Sequence, residues 1–482
     1  MYETKEEVHN RALEAVGKTL KEINGGVSLE HSAAKSGAGD AFEAWFGKVK
    51  DSDSEPDLPE AGVELKATPI KKNKRGKYEY SAKERLVLNI INYEEVVKSP
   101  FKKSHFLHKN KRIELAFYEH QQDIYKDDFI IKNVALYEMS KNPVDFKIIE
   151  EDWHIIDTYI KEGKAHELSE RLTTYLSPCT KGASSKSIRK QPFSEIPAKQ
   201  RAYSLKTGYM TYLYNTYVLG VDDSESIITD PFDLENKSFQ DIILEKIEPY
   251  IGKTVDELCQ TFKVKKGTKS TNPEILKYIL GLKDDAEKTQ EFIKANIKPK
   301  TVVVEKGKQQ LKEEFKIQEY KFVNVVNETW EESDLKDFLE ETTFLISVFE
   351  KEGTNETLIG VKFWGISEQD IDINAKHVYE DTVSKIKSGV EITWTPNKKT
   401  TNFINSSEED KLFSKLSASQ TSYREIHKSG SRYSEKLPSK IKWINRPDDE
   451  KENYTDWYMT KQAWWLNKKY MYEQIKELFD KD

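Results

Sequence analysis

The chain has 482 residues, with 76 basic and 83 acidic side chains and a net charge of −7. That length exceeds what one core usually serves, so two or three domains are expected. The acidic balance excludes indiscriminate adhesion to a polyanion and leaves any nucleic-acid contact to local basic patches.

From the N-terminus, Gly17-Lys18-Thr19-Leu20-Lys21-Glu22-Ile23 reads as a small-residue entry into a helix. Ala41-Phe42-Glu43-Ala44-Trp45-Phe46-Gly47 reads as a second short helix closing on glycine. The most informative stretch follows, Pro56-Asp57-Leu58-Pro59-Glu60-Ala61-Gly62-Val63-Glu64-Leu65-Lys66. Val63, Leu65 and Ala67 alternate with Glu64, Lys66 and Thr68, the pattern of a strand, so Glu64 and Lys66 project from one face. A tight return through Pro59 and Gly62 brings Asp57 beside them. Two carboxylates with the Leu65 carbonyl between them suit Mg2+, which takes oxygen ligands and keeps several waters. The Lys66 ammonium is placed to orient an attacking water and offset charge on a phosphate. The combination describes metal-dependent phosphodiester hydrolysis, with a solvated strand face as the bland alternative, since a chain this acidic holds roughly ten acid-x-Lys triplets by chance.

Farther on, basic runs lie at Lys71 to Lys77, Lys181 to Lys190 and Arg424 to Arg432, each a solvated loop or a phosphate contact. A strand pair is expected around Ile113 to Glu119 and Val134 to Tyr137, then a helix ending at Gly163. The two cysteines, Cys179 and Cys259, are too few and too far apart for a disulfide framework or a zinc cluster and point to a reducing compartment. The N-terminus lacks a basic flank with an apolar core, and no window approaches a membrane span, so a soluble, cytoplasmic protein without membrane contact is expected.

The second half repeats the first. Gly252-Lys253-Thr254-Val255-Asp256-Glu257-Leu258 echoes the segment at Gly17, and Ile275 to Gly281 echoes Ala41 to Gly47. Phe344 to Glu350 and Leu358 to Phe363 echo the strand pair, and a helix ending at Gly389 echoes the one ending at Gly163. Trp457-Tyr458-Met459-Thr460-Lys461 is matched with Ala202-Tyr203-Ser204-Leu205-Lys206. The expected organisation is two tandem α/β domains, residues 1–220 and 236–482, joined by a linker at 221–235 that is rich in connector residues. This register sets Lys277 against Glu43, Lys298 against Glu64 and Lys300 against Lys66, so the second copy has lost its acidic ligands and cannot hold Mg2+.

These motifs, with Ser104-His105-Phe106-Leu107-His108-Lys109-Asn110-Lys111-Arg112, carry a resemblance. The first half resembles MutH, the GATC-specific nicking endonuclease of mismatch repair, within the PD-(D/E)xK nuclease superfamily. The whole chain is similar to the GATC-cutting type II restriction endonucleases of the Staphylococcus aureus 3A type. The fold implied is two MutH-like endonuclease domains, each a mixed sheet flanked by helices, in a pseudo-dimer.

The resemblance implies Asp57 and Glu64 as metal ligands, Lys66 at the scissile phosphate, Glu43 as an accessory acid in the metal's water shell and Lys109 as a second active-site lysine. Lys35 matches a lysine near DNA. Thr180 and Lys181, with Ser184 and Ser185, fall where the family carries a base-reading Arg-Pro-Lys loop, of which only Lys181 is retained. Ser204 stands where the nickase has a methylation-sensing tyrosine, which implies room for an N6-methyl group and cutting indifferent to adenine methylation. Lys206 is implied to keep a DNA contact. His105 and His108, flanking Lys109, read as ordinary surface or semi-buried histidines.

The activity implied is Mg2+-dependent cleavage of double-stranded DNA at GATC, on the 5′ side of G. The second copy is implied to bind another GATC as an effector, through Arg424, His427, Lys428, Arg432 and Lys461. The protein is expected to be a monomer in solution that associates on DNA. The alternatives are a mismatch-repair nickase and a catalytically inactive DNA-binding regulator.

Overall fold

The computed structural model describes residues 2–29, 37–48, 54–73, 76–121, 124–182, 187–221, 224–409, 411–425 and 431–480. Helices α1 (Lys5–Leu13) and α2 (Leu20–Ile23) each begin on a threonine, Thr4 and Thr19, that caps the helix while Glu7 or Glu22 reaches back to it. Helix α3 (Gly37–Trp45) buries Ala38, Ala41 and Phe42, which leaves Glu43 on its half-exposed side. Then come β1 (Glu64–Lys72), β2 (Tyr80–Ala82), β3 (Leu86–Ile90), α4 (Tyr93–Val96), α5 (His105–Asn110), β4 (Arg112–Glu119) and β5 (Ile131–Glu138).

One sheet runs β2-β1-β4-β5, with β1 parallel to β4 and the other pairs antiparallel. The parallel pair fixes the site, because it seats Glu64 against Ile113 and Lys66 against Leu115 at the start of β1, ahead of the Ile70–Lys72 stretch that pairs with β2. Val63, Leu65, Ala116 and Phe42 are among the buried residues that pack α1 to α3 onto it.

The long helix α6 (Pro143–Lys161) is capped by Asn142 and followed by β6 (Leu176–Thr180), β7 (Ile188–Gln191), β8 (Ser194–Lys199), β9 (Arg201–Leu205) and α7 (Thr207–Tyr212). A second sheet runs β3-β9-β6. Mixed sheets with flanking helices match the expected α/β class. Among the described residues no helix is long and apolar enough to cross a membrane.

The packing divides the chain into two units, the first of residues 1–247, 276–298 and 341–343, the second of residues 248–275, 299–340 and 344–482. The division differs from the expected linker at 221–235. Ile228 is buried, and the main-chain N–H groups of Ile227 and Ile228 donate to the Glu291 carboxylate, so this stretch belongs to the first unit. Polar connector residues signalled a turn, and the carboxylate that binds it lies 63 residues downstream.

The internal repeat is visible in hydrogen bonding. Gly17 N–H donates to Ile131 O at 2.8 Å, as Gly252 N–H does to Leu358 O at 2.7 Å, and Thr254 with Glu257 forms the same capping box as Thr19 with Glu22. Strands Thr343–Glu352 and Asn355–Trp364 pair as β4 and β5 do, with a register shift at Val348/Phe349 matching the one at Phe117/Tyr118. The sheet of strands Phe315–Tyr320, Gln462–Leu466 and Leu412–Leu416 reproduces β3-β9-β6, since Leu466 faces Phe315 and Leu412 as Leu205 faces Leu86 and Leu176.

This corrects one match. The counterpart of Arg201–Leu205 is Gln462–Leu466, so Lys206 corresponds to Asn467 rather than to Lys461. Trp457–Lys461 and Gln462–Leu466 are both aromatic-rich, and only the strand pairing separates them. The match at the first strand is supported by backbone shape. Gly62 (φ 62°) and Asn296 (φ 53°) both take the left-handed conformation two residues before Glu64 and Lys298.

Candidate active site

Asp57 and Glu64 meet because the segment between them closes on itself. Leu58 and Val63 form an antiparallel bridge, with N–H to carbonyl distances of 3.0 and 3.2 Å, and Gly62 N–H returns to Pro59 O at 3.1 Å. Gly62 supplies the positive φ that this turn requires. The two carboxylates are then cross-braced by main chain: Asp57 N–H donates to Glu64 Oε2 at 3.1 Å, and Leu65 N–H donates to Asp57 Oδ2 at 3.0 Å. Each carboxylate is thus tied to main chain at or beside the other acid.

Three ammonium groups surround this pair. Lys66 Nζ donates to Glu64 Oε1 and reaches Leu65 O at 3.3 Å. Lys109, on α5, lies 3.8 Å from Glu64 Oε2 and donates to Glu55 O at 3.0 Å. Lys48, which the spacing of the motif did not single out, sits 3.3 Å from Asp57 Oδ1 and donates to Asp57 O at 3.2 Å. Its only sequence signal is a position next to Gly47, where the helix ends.

Glu64 is 2% exposed, and burial pushes its carboxyl up while the Lys66 ammonium opposes the shift. Glu43 is pushed up to about 7, first by burial and then by the Asp57 charge, with Lys66 and Lys48 acting against it. Its titration is therefore coupled to the same groups, which places it in the field of the site.

The histidines flanking Lys109 serve the approach to Asp57. His105 Nε2 lies 2.6 Å from Ser54 O, and His108 Nε2 lies 2.7 Å from Glu55 Oε2. With the Lys109 bond to Glu55 O, helix α5 grips the segment that precedes the first carboxylate.

Among the described residues there is no group of three or more His, Cys, Asp or Glu side chains poised for a metal ion. The donors present at this site are Asp57, Glu64 and the Leu65 carbonyl, all oxygen. A set of this kind fits a hard cation that retains water, such as Mg2+, and not a softer metal that takes sulfur or imidazole.

The expected DNA contacts divide. Thr180 and Lys181 lie at the surface end of β6, with Lys181 exposed. Ser204 is fully buried, its Oγ 2.9 Å from Ser177 Oγ across the β6–β9 pair. Lys206 is 1% exposed and donates to Thr173 O at 2.7 Å. Both side chains are thus packed inside the protein, Ser204 against β6 and Lys206 against Thr173.

Lys35, Ser184, Ser185, His427 and Lys428 lie outside the described residues. Of the remaining effector candidates, Ser434 Oγ donates to Arg424 O, Ser434 pairs with Thr460, and Lys461 N–H donates to Tyr433 O at 2.9 Å, so Arg424, Arg432 and Lys461 come from one small strand pair and its edge.

Residues 46–152 match the family model of the DNA mismatch repair enzyme MutH, a span that contains Lys48, Asp57, Glu64, Lys66 and Lys109. Along almost its whole length the chain is similar to the type II restriction enzyme Sau3AI of Staphylococcus aureus, at 48% identity over 497 aligned residues, covering 99% of each chain.

Proposed function

The chain belongs to the type II restriction enzyme family represented by Sau3AI and is a nuclease of double-stranded DNA, and from that premise we propose that it cuts both strands at GATC in a Mg2+-dependent hydrolysis carried by the first copy. The observation that carries this reading is the braced Asp57–Glu64 pair with three lysines around it. Asp57, Glu64 and the Leu65 carbonyl would hold the ion. When bound, a divalent cation supplies Lewis acidity at the scissile phosphate.

The chain's own groups do the rest. Lys66 donates to the attacking water and fixes its line of approach, Lys109 offsets negative charge gathering on the phosphate, and Glu43 accepts hydrogen bonds from water beside the carboxylates. The Leu58–Val63 turn keeps Asp57 within reach of Glu64, so the positioning cost is met on folding.

Glu64→Ala removes a donor without removing a DNA contact. It is expected to lose essentially all cleavage of a GATC plasmid in Mg2+ while gel-shift affinity for a GATC duplex holds; near-normal cutting by the variant would refute the assignment. Linear products from the native protein distinguish this reading from a nickase, which leaves open circles, and from an inactive regulator, which leaves plasmid uncut.

The second copy we read as a DNA-binding effector. Lys277, Lys298 and Lys300 stand in the repeat register of Glu43, Glu64 and Lys66, and ammonium groups repel a cation while attracting phosphate. GATC is a palindrome, so a duplex cut needs the chemistry twice, and one chain carries one acidic site. Association of two chains on DNA supplies the second. A plasmid with two GATC sites is then expected to be cut faster per site than a plasmid with one, and equal rates at every enzyme concentration would argue against the effector role.

A further inference from the structure

The second unit contains a cleft of about 510 Å³, lined by the loop that enters the helix Thr271–Ile279, by Lys300 to Val303 of the strand Ile297–Glu305, by Leu311 to Lys316 and by the hairpin end near Lys351. Six lysines open on it, Lys266, Lys269, Lys300, Lys312, Lys316 and Lys351, against three glutamates, a surplus of three positive charges. Part of that charge is spent internally. Lys266 pairs with Asp256, Lys316 with Glu319 at 2.7 Å and Lys351 with Glu356 at 3.6 Å. One of the three glutamates, Glu314, is itself held by Lys415.

Lys269 and Lys312 are exposed and form no ion pair among the described residues. The cleft is backed by the buried side chains of Val302, Leu311 and Phe315, a low-dielectric surface against which the field of the lysines is screened less than in open water. A concave volume of several hundred cubic ångströms suits a single nucleotide unit. Ammonium donors with a net positive field select an anion rich in acceptor oxygens, which is the description of a phosphate. Lys300 is the repeat counterpart of Lys66, so the cleft lies along the strand that carries the acidic site in the first copy.

We propose that this cleft is a phosphate-binding site that takes the phosphate of a deoxynucleotide, either free or within a DNA strand. The inference deepens the effector reading of the second copy and gives it a specific anion pocket.

The test uses the full chain in EDTA, so that nothing is cut. Deoxyguanosine monophosphate and a short duplex without GATC are titrated separately against the native protein, a Lys269→Gln/Lys312→Gln double variant and a Lys376→Gln control outside the cleft. The native protein and the control bind the nucleotide alike, and the double variant binds it about tenfold more weakly. A matching loss on the duplex assigns the site to strand phosphates, and unchanged duplex binding assigns it to the free nucleotide. Failure of the nucleotide to bind the native protein, or equal binding by the double variant, overturns the proposal. Failure of the two-site plasmid preference, with the nucleotide result intact, instead rejects the effector reading and leaves the cleft standing.

Discussion

At the scale of single residues, the two carboxylates and the lysine were legible because their relation is short-range. An alternating strand fixes the faces of Glu64 and Lys66, and a Pro-Gly return over a few residues limits where Asp57 can go. Lys48 was not legible, since its bond to Asp57 depends on how α3 ends against the turn rather than on any spacing. Its ammonium holds the Asp57 main chain and side chain together, and we expect Lys48→Met to slow cleavage by roughly 10- to 100-fold, the scale of a misplaced reacting group. Gel-shift affinity should change little, and the ratio of cutting to binding is the measurement that separates positioning from DNA contact. The burial of Ser204 and Lys206 was not legible, because the motif match that implied their roles fixes a place in the chain and not which side chains other layers of the protein cover.

At the scale of elements, the strand pair β4–β5 and the matching of the two Gly-Lys-Thr segments were readable from alternation and glycine punctuation, which are local signals, whereas the order β2-β1-β4-β5 was not predicted. The final strand of each repeat was not readable, and the match slipped by six residues, setting Ala202 against Trp457 rather than Ala463, because both segments are aromatic-rich and only the partners Phe315–Tyr320 and Leu412–Leu416 tell them apart. The turn Leu58–Val63 is the element on which the site depends. Gly62 stands at φ 62°, with the nearest atoms to an added Cβ, Arg112 Nη1 and Lys111 Cε, at 3.6 and 3.8 Å, so space is adequate and only the backbone conformation resists. Gly62→Ala should therefore destabilise by about 1–2 kcal/mol while lowering cleavage further than the stability loss explains. Denaturant melts set beside plasmid-cutting rates will check this, and a variant that cuts normally would mean the turn tolerates relaxation.

At the scale of the whole molecule, the repeat is sequential but the packing is not. Residues 276–298 and 341–343 belong to the first unit although they follow the start of the second in the chain. Within that first unit Lys294 forms a buried ion pair with Asp145 at 2.7 Å. Glu341 accepts from Thr207 N–H at 2.8 Å and from Arg85 Nε at 3.2 Å. Stripping one partner from a buried ion pair costs about 3–5 kcal/mol, a large share of what holds a typical domain folded. A fragment ending at residue 220 keeps every catalytic candidate yet loses both Lys294 and Glu341. We expect it to melt well below the full chain or to be recovered insoluble, as calorimetry or solubility on expression would reveal, and a well-folded fragment would disprove that dependence. A break at the apparent midpoint of the chain would sever an ion pair and a hydrogen-bonded carboxylate in one stroke, so the segment that carries the acidic site leans on residues far downstream of it.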